Sequence, residues 1–363
     1  MAGDSRFCVG GLIYHGQESL VMQMLRSLFQ DGRAAVPEDA KLVLATTKGE
    51  IDFLEMNVLD GSGDVDRSLV TRLLRDVSAL TGARGGGLVV SAACTSSAAA
   101  AARAAAMIRS GHADCVLVVA CDGVTEFIYS GFSSLMALDR SPARPFDRNR
   151  AGLSVGEAAA FALMMSEERA TRERRPVLGE IAGWGLSDDA NHMTGPSRES
   201  EGLILAITKA LKSAGCGTDD IGIIAAHGTG TVYNDAMEMR AFHALFRNRA
   251  KPVYSIKGGI GHTMGAAGLV ETMIALRSLR ERTVPPTVSL EEPDDDAAGW
   301  ASNRKRIVEG GRMALVTNAG FSGVNVEQAT TGDVFESGAR VNRQHEEGRC
   351  AGSAHEVDEG AAS

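Results

Sequence analysis

The sequence predicts an α/β fold made of two similar halves, and three observations carry that expectation. Short apolar runs alternate with stretches of helical periodicity along most of the chain, the pattern of strands exchanged with helices. In each half an apolar strand ends in a turn of small residues bearing a candidate reactive side chain, Cys94 or His262. An alanine- and glycine-rich helix follows each turn, and such small residues permit the close packing that a buried central layer demands.

Taken in order, strands are expected over 41–46, 87–90, 115–120 and 158–165 in the first half, and over 177–184, 221–226, 253–256 and 313–317 in the second. Helices are expected at about 17–30, 66–81, 96–110, 199–214, 235–247 and 265–281. The halves then run over 1–165, carrying the cysteine, and 166–330, carrying two candidate histidines. Residues 331–363 hold seven acidic and three basic side chains in a Gly/Ser/Ala/Glu-rich stretch, expected to be a disordered acidic tail without a role of its own.

Composition sets bounds. A chain of 363 residues, 44% hydrophobic and 23% charged, suits one large globular unit or two fused halves. No apolar run approaches a membrane span, and the N-terminus lacks the basic and apolar regions of a secretory signal. Cysteines at 8, 94, 115, 121, 216 and 350 show neither a Cys-x-x-Cys pair nor metal-ligand rhythm. Reduced thiols in a cytoplasmic protein, with no metal, are the expectation. A net charge of −9 argues against nucleic acid as the main partner.

Cys94 lies in Ser91-Ala92-Ala93-Cys94-Thr95-Ser96-Ser97, between the apolar Leu88-Val89-Val90 and an alanine run from Ala98 to Ala106 broken only by Arg103. At a helix N-terminus, unpaired backbone N–H groups and the helix dipole favour a thiolate. A lone cysteine is more often a small buried hydrophobe; the rest of the chain reverses that. Ile223-Ile224-Ala225-Ala226 runs into His227-Gly228-Thr229-Gly230-Thr231, and Val253-Tyr254-Ser255-Ile256 runs into the glycine-rich stretch from Lys257 through His262 to Gly268. Each histidine therefore follows the C-terminal end of a strand, where α/β sheets collect ligands. A cysteine and two such histidines meet the requirement for covalent catalysis. A decoy is set aside: Gly152-Leu153-Ser154-Val155-Gly156 matches the nucleophile elbow of serine hydrolases, but the polar Arg144–Ala151 stretch precedes it instead of a strand.

In this order the segments resemble the β-ketoacyl-[acyl-carrier-protein] synthases of the Cys-His-His, chain-elongating type. Ala93–Ser97, Arg144-Pro145-Phe146-Asp147 with Gly156-Glu157, His227–Thr231, Lys257–Gly268 followed by Glu271, and Asn318-Ala319-Gly320-Phe321-Ser322-Gly323 carry the resemblance over roughly residues 85–328. It implies a thiolase-like α/β fold: two similar halves with mixed five-stranded sheets, in an α-β-α-β-α layered arrangement. It also implies that Cys94 accepts an acyl group, that His227 and His262 donate hydrogen bonds to a malonyl thioester, and that the backbone N–H groups of Cys94 and Phe321 form an oxyanion hole. Lys257 and Glu271 would support the second histidine, and Thr229 and Thr231 the pantetheine arm. No cofactor is implied beyond the phosphopantetheine of an acyl carrier protein. The implied partners are that carrier and a second subunit, either a copy of the chain or a chain-length factor.

Three departures from the family pattern stand out. Gly-Phe-Gly-Gly is here Gly320-Phe321-Ser322-Gly323, which stiffens a loop at the acyl entrance; Arg-Asp-Gly is Arg150-Ala151-Gly152, one carboxylate fewer; and the region before Leu88 is short, with Arg6–Gly11 the candidate for the opening strand. A non-catalytic chain-length-factor-type partner is the competing function, and the presence of Cys94 argues for the enzyme. A degradative thiolase needs a second cysteine in a glycine loop, and Cys350 lies in the tail. Arg140, Arg144, Arg148 and Arg150 suit either docking of an acidic carrier or a solvated structural loop.

Overall fold

In the computed structural model, residues 18–30, 35–247, 249–308 and 310–332 are described. The candidate opening strand at Arg6–Gly11, Cys350 and the acidic tail beyond 332 lie outside the described residues.

The first half comprises α1 (Leu20–Phe29), β1 (Lys41–Ala45), α2 (Ile51–Asp60), α3 (Val70–Thr81), β2 (Gly87–Val90), α4 (Ser96–Arg109), β3 (Cys115–Asp122), α5 (Glu126–Ser134) and β4 (Ala158–Met165). After α6 (Glu167–Arg172) the second half follows with β5 (Glu180–Asp188), α7 (Glu201–Ala214), β6 (Ile221–Ala225), α8 (Val232–Phe246), β7 (Val253–Tyr254), α9 (Lys257–Ile260) and α10 (Ala267–Arg280). It closes with a small hairpin, β8 (Thr283–Val284) and β9 (Arg306–Ile307), then β10 (Met313–Ala319) and β11 (Val324–Thr331).

Two mixed sheets result, in the orders β2-β1-β3-β4 and β5-β11-β10-β6-β7. The pairing senses match: β2 and β1 are parallel like β7 and β6, β1 and β3 like β6 and β10, while β3–β4 and β10–β11 are antiparallel. The duplication read from the sequence is therefore topological. The second sheet has the expected five strands; the first has four among the described residues, and β4 occupies the position of β11 without a counterpart to β5.

The layers follow from which face of each sheet is apolar. Val21, Met22 and Leu25 of α1 and Leu73 and Val77 of α3 cover one face of the first sheet with Leu42, Leu44, Leu117 and Val119. On its other face Val43, Val116 and Val118 meet Ala100 and Ala104 of α4 and Leu269 of α10. Ala275 and Leu279 of α10 then cover Ile223 and Val316 of the second sheet, and α7 and α8 close its far side through Leu203, Ile207 and Phe242. Helices α4 and α10 are thus the central layer. Their alanine and glycine content has a steric cause at one place: a Cβ on Gly268 would lie 2.8 Å from the Ala98 Cβ and 2.6 Å from Asn318 Oδ1. No helix among the described residues is long and apolar enough to cross a membrane.

Candidate active site

The ends of both central helices bring the three predicted residues together. Cys94 sits just before α4, in a turn where Ala93 adopts a left-handed φ of 46°. The turn is closed by Thr95 N–H to Ala92 O at 3.1 Å, and by Ser96, whose Oγ accepts from Ala92 N–H at 2.9 Å. His262 precedes α10, and the two helix starts are stitched by Leu269 N–H donating to Ser97 Oγ at 3.0 Å. His227 follows β6, and its ring lies edge-on to that of His262 with centroids 5.2 Å apart. The Phe321 backbone N–H is directed at the Cys94 thiol, and Lys257 exerts its charge on Cys94, His227 and His262 alike.

The two imidazoles share a protonation state. Lys257 Nζ lies 3.3 Å from His227 Nδ1, and Met264 N–H lies 3.3 Å from His262 Nδ1. Both Nδ1 atoms face donors, so each ring carries its proton on Nε2. Burial, reinforced by the Lys257 charge, holds both histidines well below the ordinary value of 6.5, and they are neutral at physiological pH. The site therefore contains two uncharged Nε2–H donors. Lys257 is itself fixed by a buried ion pair with Glu271 and by His227 O at 2.5 Å. Glu271 accepts from Asn318 Nδ2 at 2.6 Å, and burial pushes its carboxyl up against the pull of Lys257. Lys257 thus contacts His227 directly, while its charge reaches His262 as well.

The thiolate expectation is corrected. Burial pushes the Cys94 thiol up to about 11, outweighing the lowering influence of Lys257 and of the Phe321 N–H. At 7% exposure, desolvating a thiolate costs more than the helix start returns. Alkylation of Cys94 by iodoacetamide should therefore accelerate about tenfold per pH unit from 7 to 10, as the thiolate fraction grows. A rate that levels off near pH 7 would show a low-pKa thiol and contradict this.

Two supports escape the sequence reading. Asp235 on α8 accepts from Thr229 N–H at 3.0 Å and Gly230 N–H at 3.2 Å; Glu238, one turn on, accepts from His227 N–H at 2.8 Å and Gly228 N–H at 2.7 Å. Burial and Asp235 push Glu238 up to about 7. The available signal is two carboxylates spaced i, i+3 soon after His-Gly-Thr-Gly-Thr. Within that loop Thr229 Oγ1 and Thr231 Oγ1 lie 2.9 Å apart. Phe321 packs beside Phe132, ring centroids 5.7 Å apart, and Ser322 takes a φ of 74° while its N–H donates to Met193 O at 2.7 Å.

The decoy Ser154 serves the scaffold: its Oγ accepts from Ala143 N–H at 2.9 Å, and its carbonyl accepts from His262 N–H. The arginine cluster is largely neutralised by carboxylates of the chain itself. Arg148 pairs with Glu292 at 2.9 Å and Asp295 at 2.6 Å, and Arg144 approaches Asp139 at 3.9 Å. Arg150 is buried and pairs with Asp294 at 2.5 Å, so it holds the loop with a carboxylate from elsewhere in the chain. These pairings favour the structural alternative for three of the four arginines. Among the described residues no cluster of His, Cys, Asp and Glu is arranged to hold a metal ion, and Cys94, Cys115, Cys121 and Cys216 are free thiols.

A two-halved, layered fold with a cysteine before one central helix and a histidine before the other defines a thiolase-like protein. Two family models match it, the β-ketoacyl synthase N-terminal domain over residues 75–170 and the C-terminal domain over 178–291. The chain belongs to the β-ketoacyl synthase family. It is 32% identical over 272 residues to 3-oxoacyl-[acyl-carrier-protein] synthase 2 of Vibrio cholerae, covering 72% of this chain and 66% of that protein. It is 35% identical over 239 residues to nodulation protein E of a Rhizobium species, covering 65% and 59%. Among solved structures it resembles the ishigamide ketosynthase/chain length factor (28% identity, TM-score 0.76, 82% of this chain and 76% of that one). It also resembles a ketosynthase in complex with its chain length factor from Xenorhabdus doucetiae (25% identity, TM-score 0.72, 87% and 82%). The chain spans half to two thirds of the length of the curated synthases it matches.

Proposed function

We propose that the chain is a 3-oxoacyl-[acyl-carrier-protein] synthase that joins a Cys94-bound acyl group to malonyl-carrier by decarboxylative Claisen condensation. The observation that carries this is the pair of neutral Nε2–H donors, their rings 5.2 Å apart, around a Lys257 whose charge also acts on the buried Cys94 thiol. In the first half-reaction Cys94 Sγ attacks the acyl thioester of the carrier. The developing oxyanion takes hydrogen bonds from the Cys94 and Phe321 N–H groups, the carrier's carbon–sulfur bond breaks, and the departing pantetheine sulfur collects the proton that Cys94 gives up. In the second, malonyl-carrier loses CO2 as the electrons of the breaking carbon–carbon bond move onto the thioester oxygen. His227 and His262 hold that enolate oxygen; charged imidazoliums would draw in the carboxylate instead of letting it leave neutral. The C2 carbanion then attacks the Cys94 thioester, a carbon–carbon bond forms, and the Cys94 sulfur departs.

Decarboxylation drives the reaction without a further organic cofactor or metal, and Thr229 and Thr231 are proposed to receive the pantetheine arm. Fatty acid, polyketide and polyene synthesis all use this step. Acyl carrier protein is the proposed substrate carrier, and the second subunit is a copy of the chain or a chain-length factor. Free thiols and a reaction on carrier proteins support a cytoplasmic setting, and a division at 165/166 separates the half bearing Cys94 from the half bearing both histidines. A non-catalytic partner is disfavoured because cysteine and both donors are present together.

His227→Asn and His262→Asn test the reading. Each is expected to slow release of CO2 from malonyl-carrier by about 10²–10³-fold, the loss typical of one preorganised donor. Acylation of Cys94, followed by intact-protein mass, should fall much less. Unchanged CO2 release in both variants would refute the assignment.

A further inference from the structure

Asp122 ends β3, is 2% exposed, and lies near enough to Cys94 for its charge to raise the thiol. Its carboxylate accepts from Thr46 Oγ1 at 2.8 Å, from Thr47 N–H at 3.0 Å and from Gly265 N–H at 2.7 Å. Thr46 Oγ1 in turn accepts from Gly49 N–H at 2.8 Å. The first pair of contacts belongs to the turn after β1; Gly265 belongs to the other half and follows His262 by three residues. One carboxylate therefore ties the histidine turn of the second half to the strand ends of the first.

What that turn does makes the tie matter. Met264, at a left-handed φ of 51°, aims its N–H at His262 Nδ1, and this is the contact that puts the ring proton on Nε2. Such backbone is held only where its surroundings over-determine it. Next to it, Gly265 has no room for a side chain: a Cβ would stand 2.5 Å from Asp122 Oδ2 and 3.1 Å from Thr47 N. The close seat of Gly265 on Asp122 fixes the Met264–Gly265 peptide, and so the position of Met264, whose own N–H, in the adjoining Thr263–Met264 peptide, selects the tautomer of His262.

We propose that Asp122 is a positioning residue that holds His262 as an Nε2–H donor by anchoring the Met264–Gly265 turn. This rests on the condensing function above, and it assigns to Asp122 the half-reaction in which His262 acts.

The test compares Asp122→Ala, Asp122→Asn and Gly265→Ala in the full chain, using malonyl-loaded and acyl-loaded acyl carrier protein. Asp122→Ala is expected to lower CO2 release from malonyl-carrier about 10- to 100-fold, the scale on which misplacing a catalytic group by an ångström acts. Acylation of Cys94 should not fall, since it uses the Cys94 and Phe321 N–H groups and loss of the Asp122 charge removes one of the influences that raise the thiol. Asp122→Asn keeps one oxygen for Gly265 and can turn its amide to Thr46 Oγ1, so most of the lost rate should return. Gly265→Ala, which crowds the contact from the other side and leaves the carboxylate in place, should reproduce the effect of Asp122→Ala even if that variant folds poorly. Equal loss of both half-reactions, or no loss of CO2 release, overturns the proposal. Imidazole 15N spectra of histidine-labelled protein give a readout independent of turnover, with His262 assigned from His262→Gln. The wild type should show an unprotonated Nδ1, and Asp122→Ala a mixture of tautomers. Should the wild type release no CO2 at all, the condensing function falls; an unchanged His262 tautomer in Asp122→Ala then overturns the positioning role by itself.

Discussion

Cys94→Ala is expected to abolish product formation, a loss on the order of 10⁶-fold, as for removal of a catalytic nucleophile, while leaving CO2 release from malonyl-carrier largely intact. The two results separate because the site is divided. The thiol is needed only to hold the acyl group. In the proposed mechanism the enolate is held by His227 and His262, whose proton positions are set by Lys257 and Met264 and not by the cysteine. Condensation product by mass spectrometry and CO2 release on the same samples check this. A Cys94→Ala variant that loses both in parallel would mean that the thiol organises the histidine pair.

Lys257→Met is expected to be the most destabilising single change in the site. It removes one side of a buried ion pair and leaves the Glu271 carboxyl buried, with Asn318 as its remaining side-chain partner. Breaking such a pair costs about 3–5 kcal/mol, which for a chain of 363 residues corresponds to a Tm fall of about 4–7 °C. His227 loses the donor facing Nδ1, so activity should fall further than stability alone explains. The double variant Lys257→Met/Glu271→Leu replaces the pair with apolar groups, so most of the Tm should return without the activity. A double variant that recovers both would show that Lys257 only neutralises Glu271.

The sequence displays the reactive groups better than the frame that holds them. Cys94, His227 and His262 are legible because each follows an apolar strand in a turn of small residues. The α-β-α-β-α layering comes from the resemblance, since apolar runs reveal strands but not which faces meet. Strand β11, Val-Asn-Val-Glu-Gln-Ala-Thr-Thr, escapes the pattern because its buried positions include Asn325, Glu327, Gln328 and Thr330, and polarity hides its burial. Gln328 is there for a reason: it donates to Ala98 O at 2.9 Å and accepts from Thr272 Oγ1 at 3.0 Å, joining the sheet to both central helices. Helix α5 escapes because Glu126–Ser134 holds aromatic, glycine and serine residues of modest helix propensity. Strand β5 begins at Glu180 instead of 177 and runs on to Asp188, four residues past the expected end, where its partner β11 supplies hydrogen bonds that local pattern cannot show. The thiol's protonation differs from the expectation because helix position is visible in a sequence and desolvation is not.

The most direct measurement is the intact mass of the full chain after incubation with acyl-carrier substrates of several chain lengths. A gain of one acyl group, released by hydroxylamine and absent in Cys94→Ala, is the expected result. A wild-type chain that never gains mass, or one that gains it equally without Cys94, would contradict the nucleophile on which the mechanism is built.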